Sequence, residues 1–341
     1  MISIVIPVRN AGAYIRQCLE SVASQAVDPS LYEVLISDNC STDDTVNVVE
    51  SFLSESDRGN FRLIRQEQNL GAYGNLNFLV REAAFDHAHI LCADDFYSNP
   101  TSLARILAAI EKHPGVAVFA FDNDTCHANH IHWHTISRLY GDDPLTSEQS
   151  VKLLFAFGCF LGGLSNIGLN RKLLPAETLF DPSYKYFGDV DFYARVVISG
   201  GSICLIREEI TNRRHHEGSI SSTANRNSVC ASESINTVAR LERALITQGY
   251  EPWRLRAYAS WLITQYYHAA LKPALKGKGL DSLRNVCSAH RDLPEFWPAW
   301  GLIPLSLANW LPFVRRPLHS AIEAGMIRYL CSPHDPTTPS K

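Results

Sequence analysis

Short apolar runs recur along the first part of this chain, and each gives way to a polar or acidic residue before a helical pattern begins. "ISIVIPV" (2–8) leads into "RNAG", "YEVLISDN" (32–39) into "CSTDDT", "NFRLIRQ" (60–66) into "NLGAYG", and "HILCADD" (89–95) into "FYSNP" (96–100), which reads as turn. Between them, "AYIRQCLESVASQ" puts Tyr14, Ile15, Cys18, Leu19, Val22 and Ala23 at helical spacing. "STDDTVNVVESFL" reads as a helix capped by Ser41 or Thr42, with acids in its first turn, where the helix dipole favours them. Strands alternating with helices in this way specify an α/β fold with a parallel, doubly wound sheet. Ligands of such sheets bind beyond the carboxyl ends of the strands. Asn10, Asp38 and Asp94 each lie just past such an end and are expected to face one crevice.

Further along, a helix is expected over 101–114 and a strand in "GVAVFAFDND" (115–124). Residues 125–150 read as irregular and carry His127, His130, His132 and His134. In a strand the last three would share a face, a spacing compatible with zinc. Only Cys126 lies beside them, so an exposed, acceptor-facing loop is the preferred reading. "VKLLFAFGCFLGGLSNIGLN" (151–170) and "YFGDVDFYARVVISGG" (186–201) return the chain to the sheet, the second with a helical apolar face at Val190, Tyr193, Ala194 and Val197. After "RRHHEGSISS" (213–222) strand alternation stops, and 230–330 reads as several helices with a loop at "KGKG" (276–279). The expected organisation is a domain over 1–225, a helical region over 226–332 and a flexible tail over 333–341.

Composition narrows the function. Of 341 residues, 46% are hydrophobic and 19% charged, enough for a substantial core. The net charge is −4 and no basic run exceeds a pair, which argues against nucleic acid as the main partner. Nine cysteines are scattered singly with no CxxC spacing, so a reduced, cytoplasmic setting is expected rather than a disulfide framework. The chain opens directly in a strand with no basic n-region, so no signal peptide is expected. No uninterrupted apolar run is long enough for a spanning helix. The Trp-rich stretch 296–330 is expected to be broken by Pro298, Pro304 and Pro312. It is either core of a small helical domain or a peripheral contact with the membrane interface.

Asp94 and Asp95 pose the chemical question. They could form an exposed turn or cap the following helix. Alternatively they form a hard-metal site, since carboxylates suit Mg²⁺ or Mn²⁺ and such a cation neutralises a diphosphate. Asp38 could begin a capped helix or accept an N–H from a pyrimidine base.

"SIVIPVRNAGAYIRQCLESVASQ", "YEVLISDNCSTDDT", "NLGAYGNLN" and "ILCADDFYSNP", in this order, resemble the nucleotide-sugar half of family 2 glycosyltransferases. "YFGDVDFYARVVISGGSICLI" and "RRHHEGSIS" resemble that family's acceptor-side acid motif and its late Arg-x-His motif. The resemblance implies a GT-A fold, Rossmann-like, its mostly parallel sheet flanked by helices and followed by a C-terminal helical region. It also implies inverting sugar transfer from a UDP- or dTDP-sugar to a glycan or lipid-linked acceptor, with Mn²⁺ or Mg²⁺ as cofactor, in surface polysaccharide synthesis. Position by position, Asp38 resembles the base-recognition acid, with Pro7, Val8 and Asn10 beside the nucleoside. Asn69, Gly71 and Asn77 resemble residues of the nucleoside turn. Asp94 resembles the last acid of the DxD motif and Asp95 the acid that follows. His216 resembles a histidine near the metal or diphosphate, with Arg214 two residues before it. Asp189 resembles the general base, with Asp191 as runner-up.

Three departures stand out. Cys92 replaces the first acid of DxD, Gly188 precedes Asp189 where Glu is common, and Leu76 replaces a common Arg. Cys is a poor Mg²⁺ ligand, so weaker metal affinity is expected. Two other readings stay open: a weakly active or inactive sugar-nucleotide-binding homologue, or a sugar nucleotidyltransferase. The latter should carry a Gly-rich basic loop after the first strand, and "PVRNAGAYI" lacks one.

Overall fold

The computed structural model describes residues 1–55, 59–122, 127–175, 179–214, 216, 228–275, 280–302 and 312–331. The expected boundary near 225, the "KGKG" loop, Pro304, the tail and most of "HHEGSIS" lie outside them.

A seven-stranded sheet forms the centre of the α/β part, in the order β3-β2-β1-β4-β7-β6-β8. Its strands are β1 (Ile2–Val8), β2 (Tyr32–Asp38), β3 (Phe61–Arg65), β4 (His87–Ile90), β6 (Val118–Asp122), β7 (Ile167–Asn170) and β8 (Ile203–Glu209). All neighbours pair in parallel except at β7, which is antiparallel to both β4 and β6. The sheet is thus mostly parallel, as expected, with one strand reversed. Ile2, Ile4 and Ile6 on β1 and Val34 and Ile36 on β2 are wholly buried on one face, with Ile15, Leu19 and Val22 of α1 (Ile15–Ala23), Phe52 of α2 (Thr45–Ser54) and Ile106 of α4 (Ser102–Lys112) in the same cluster. The alternate residues Val5 and Leu35 are buried too, on the face that period-2 pleating gives to α3 (Gly71–Glu82), which packs on β1 and β2. Each such side chain contributes about 1.5–3 kcal/mol by leaving water. A one-residue slip would turn every one of them to the wrong face, and the pairing is locked as Val8↔Asp38 and Asp38↔Arg65.

Three local expectations are corrected. Helix α2 begins at Thr45, later than a cap at Ser41 or Thr42 would place it; Asp43 accepts from Thr45 N instead, and Asp38 takes Ser41 N. Phe96–Tyr97, expected as turn, is strand β5, pairing with β9 (Thr211–Asn212) in a separate two-stranded sheet. The His-bearing segment is helix α5 (His127–Tyr140) rather than an irregular loop, so the strand face proposed for His130, His132 and His134 does not form. Burial of Trp133 and Ile136 drives that helix.

Chain contacts divide the molecule into two compact units that interleave in sequence. The first holds Met1–Ser147, Cys159–Ser183 and Arg195–His215. The second holds Glu148–Gly158, Tyr184–Ala194 and His216–Lys341. The second unit includes most of α6 (Ser147–Phe157), the start of α7 (Gly188–Ile198), and helices α8 (Ser228–Thr247), α9 (Pro252–Leu275), α10 (Leu280–His290), α11 (Phe296–Gly301) and α12 (Pro312–Cys331). Ile235, Leu245, Ile263, Tyr267 and Phe296 build its core, and the Tyr267 ring lies 5.9 Å from both Phe296 and Trp300. Pro312 opens α12 rather than breaking a helix, because the first helical position needs no N–H. None of the described helices is long and apolar enough to cross a membrane.

Candidate active site

At the carboxyl ends of β1 and β2 the chain turns sharply. Asn10 (φ 52°) and Cys40 (φ 60°) are the two non-glycine residues, among those described, with left-handed backbone. Such conformations persist where the surroundings hold them, and functional sites are frequent hosts. Asn10 N donates to Ser41 Oγ at 2.8 Å, and Asn10 Oδ1 accepts Thr42 N at 2.8 Å, tying the two loops together. Asn10 thus acts on the protein itself. Asn39 makes the next link: its Nδ2 donates to Gly71 O at 3.0 Å, and its Oδ1 accepts Leu70 N at 2.8 Å. Asn69 Oδ1 accepts Gly71 N, and Gly71 needs the freedom of glycine at φ 74°.

Asp38 is 4% exposed. One of its carboxylate oxygens accepts Ser41 N; the other, Oδ1, is buried with no hydrogen-bond partner in the protein. A buried carboxylate oxygen left so costs free energy unless a ligand donor completes it. Val8 faces Asp38 in register, with Pro7 half-buried before it. Asn77 is placed differently. It sits inside α3, its Nδ2 donating to Phe180 O at 2.6 Å, while Tyr73 stacks on the Phe180 ring at 5.6 Å.

Beyond β4, the turn Cys92–Asp95 is closed by Asp95 N donating to Cys92 O. Ligand atoms of Cys92, Asp94 and Asp95 all lie within 4.8 Å of one another. The two acids have different surroundings. Asp95 is buried; its Oδ2 accepts Ser165 Oγ and its Oδ1 accepts Arg214 N at 3.0 Å. Burial raises its pKa, opposed by the Ser165 hydrogen bond, with the Asp94 charge adding to the rise and the Arg214 N–H and Arg213 opposing it. Asp94 is half-buried. Burial, and then the charges of Asp95 and Asp94, push the Cys92 thiol well up, so it stays protonated. The two carboxylates of the turn are oxygen donors of the kind that suits a hard divalent cation. The Cys92 thiol falls outside a hard-metal set.

Strand β9 pairs with β5, so the late Arg motif comes back onto the acid turn. The Arg214 guanidinium lies over the rings of Tyr14 (5.4 Å) and Phe96 (5.0 Å) and contacts Gln17. Ser165 carried no motif of its own, and Arg213 entered only as the first residue of "RRHHEGSIS"; they reach Asp95 across 70 residues in one case and more than a hundred in the other.

In the second unit, Asp189 and Asp191 open α7. Asp191 is wholly buried, its Oδ1 3.3 Å from Arg240 Nε and accepting the Tyr184 hydroxyl at 3.2 Å. Asp189 is half-buried, and its Oδ1 accepts the neighbouring Val190 N at 2.9 Å. His216 is half-buried in the same unit. Side chains of His127 and His130 lie outside those described; His134 is exposed and His132 is half-buried.

The family model described as glycosyl transferase family 2 matches residues 3–166. This stretch is a family 2 glycosyltransferase domain. The chain is 30% identical over 112 residues to the poly(ribitol-phosphate) beta-N-acetylglucosaminyltransferase TarS of Staphylococcus aureus, which is 33% of this chain and 19% of TarS. Only about a fifth of that curated relative is therefore spanned. An uncharacterised Mycobacterium tuberculosis protein is 25% identical over 313 residues, covering 86% of this chain and 94% of its own. Among solved structures, residues 1–349 of S. aureus TarS with UDP-GlcNAc superpose with a TM-score of 0.64 at 17% identity, covering 96% of this chain and 91% of that one. The Pyrobaculum calidifontis mannosyltransferase PcManGT with GDP-Man and Mn²⁺ gives 0.57 at 14% identity, covering 98% and 88%. These likenesses establish a GT-A-type fold for the glycosyltransferase domain.

Proposed function

We propose that this protein is an inverting glycosyltransferase that moves a sugar from a UDP- or dTDP-linked donor to a hydroxyl of a glycan or lipid-linked acceptor, in surface polysaccharide synthesis. The observation that carries the reading is the unfilled oxygen of Asp38, buried at the end of β2 in the unit that also holds the Asp94 turn. One offers an acceptor to a base N–H, the other a carboxylate to a cation on a diphosphate. These are the two ends of a nucleoside diphosphate. TarS with UDP-GlcNAc and PcManGT with GDP-Man and Mn²⁺ support a nucleotide-sugar donor and a divalent metal here.

When bound, Mn²⁺ or Mg²⁺ neutralises charge gathering on the leaving diphosphate. Asp94 would hold the cation, while Asp95 fixes the turn through Ser165 and Arg214. Arg214 is held beside the same turn and would face the phosphates, and His216 is the further candidate there. Asp38 accepts the base N–H, with Pro7 and Val8 lining the nucleoside and Asn69 and Gly71 forming its turn. Asp189 takes the proton of the acceptor hydroxyl as that oxygen attacks the anomeric carbon from the face opposite the diphosphate. One displacement inverts the centre. Asp191 stays the runner-up, because Arg240 and Tyr184 both lie against its Oδ1. With a lipid-linked acceptor, the protein would work peripherally at the cytoplasmic side of the membrane.

The test is a thermal-shift panel of UDP-, dTDP- and GDP-sugars with and without Mn²⁺, followed by nucleoside diphosphate release. A uridine or thymidine sugar should raise the melting temperature, and more so with metal. A donor that binds yet releases no diphosphate with any acceptor points instead to a binding homologue, the reading that Cys92 leaves open.

A further inference from the structure

Glu233 lies on α8 and is 7% exposed, yet no cation neutralises it in any described ion pair. Its carboxylate is occupied by backbone. Oε1 accepts Lys185 N at 2.7 Å, and Oε2 accepts Tyr186 N at 2.9 Å and Phe187 N at 2.8 Å. These three consecutive N–H groups immediately precede α7, and Phe187 O accepts the Asp191 N–H at 3.1 Å as the helix begins. A carboxylate at this point satisfies the Phe187 N–H that the helix start leaves orphaned, ties the two loop amides before it, and opposes the positive end of the helix dipole.

The same face of α8 makes a second contact. Glu233, Thr237 and Arg240 are spaced i, i+4, i+7 and so project together. Arg240 holds Asp191, whose Oδ1 also accepts the Tyr184 hydroxyl, and Thr237 Oγ1 donates back to Glu233 O at 3.1 Å. Asp189 therefore sits between two fixed points, the loop at Glu233 and the ion pair at Arg240.

We infer that Glu233 is a positioning residue for Asp189, holding residues 185–187 so that the first turn of α7 presents that carboxylate in one place, with Arg240 pinning the turn through Asp191. The inference rests on Asp189 being the base. It gives Asp191 a structural duty rather than a chemical one. A general base displaced by about 1 Å loses on the order of 10²-fold in rate.

The experiment is a double-mutant cycle between Glu233→Gln and Asp189→Asn. It reads nucleoside diphosphate release from UDP-GlcNAc, or from whichever donor of the panel is turned over, together with UDP affinity in Mn²⁺ and amide hydrogen exchange at Lys185–Phe187. Glu233→Gln keeps the shape but turns an NH₂ toward a backbone donor. It should speed exchange at those amides and lower turnover about tenfold or more, with UDP affinity unchanged. In the Asp189→Asn background it should cause no further loss, because a residue acting through Asp189 has nothing left to position. Equal losses in both backgrounds would make Glu233 merely structural and overturn the inference. A silent Glu233→Gln beside a crippled Asp189→Asn overturns the inference alone. Full release by Asp189→Asn, or no release from any donor by the native protein, overturns the base reading and the inference with it. Should Glu233→Gln not fold, Glu233→Asp, one methylene shorter, enters the same cycle with a smaller expected loss.

Discussion

Two regions of this molecule carry acids close together in sequence, Asp94-Asp95 at the end of β4 and Asp189-x-Asp191 at the start of α7. In each, one acid is buried against protein partners, while the other is half-buried. Asp95 is held by Ser165 and Arg214 N, Asp191 by Arg240 and Tyr184. The difference is in what holds them. The first pair is held by neutral hydroxyl and backbone donors, with cations close by, and burial raises the pKa of Asp95. The second pair is held by a guanidinium, and its loop by a carboxylate on three N–H groups. At the first turn the buried charge meets neutral donors, and at the helix start it meets a guanidinium.

That contrast is open to direct attack. The largest effect is expected at Asp94: Asp94→Ala should abolish the Mn²⁺-dependent part of UDP binding, measured by calorimetry with and without EDTA. Native affinity that ignores EDTA would remove the metal from the first region. Next, Asp189→Asn should lower turnover by about 10²-fold or more with UDP affinity nearly unchanged, whereas Asp191→Asn should act chiefly on stability. Arg240 is partly exposed, so the loss there should be roughly 1–2 kcal/mol in urea unfolding. If Asp191→Asn proves the slower enzyme at full stability, the division of labour is reversed. Asp38→Ala should cost about 1–3 kcal/mol of nucleotide binding, because the base N–H loses its acceptor. Equal affinities would reduce Asp38 to a cap for Ser41.

The smallest effect concerns the helical unit alone. Burial and the neighbouring Glu295 carboxyl push Glu242 up to about 8, against Arg256 and Arg243. The folded form therefore holds a proton that the unfolded chain has released, and stability should fall as pH rises from the ordinary glutamate range through about 8. Glu242→Gln should flatten this slope in thermal unfolding. A slope unchanged in the variant would place its origin elsewhere.

Much of the α/β part was legible in sequence. Buried strands such as "ISIVIPV" carry their own signature, since every residue must be apolar when both faces are covered. Asp38 and Asp94 could be singled out as candidates because ligands of a doubly wound sheet bind beyond the strand ends. The failures were local or long-range. Phe96–Tyr97 looked like a turn because its partner, Thr211–Asn212, lies over a hundred residues away. Helix α5 was missed because clustered histidines mask the helical spacing of Trp133 and Ile136.

Period-2 and period-3.6 patterns, together with the acids at strand ends, determined by themselves the fold class and the candidate residues, because backbone geometry converts such spacing into faces and termini. Which of two neighbouring acids is buried in a partnership and which is left half-buried was decided only in three dimensions. That choice depends on Ser165, Arg214, Arg240 and Glu233 arriving from distant segments. A carboxylate's chemistry is set by the donors and charges within a few ångströms of it, and chain order does not specify those.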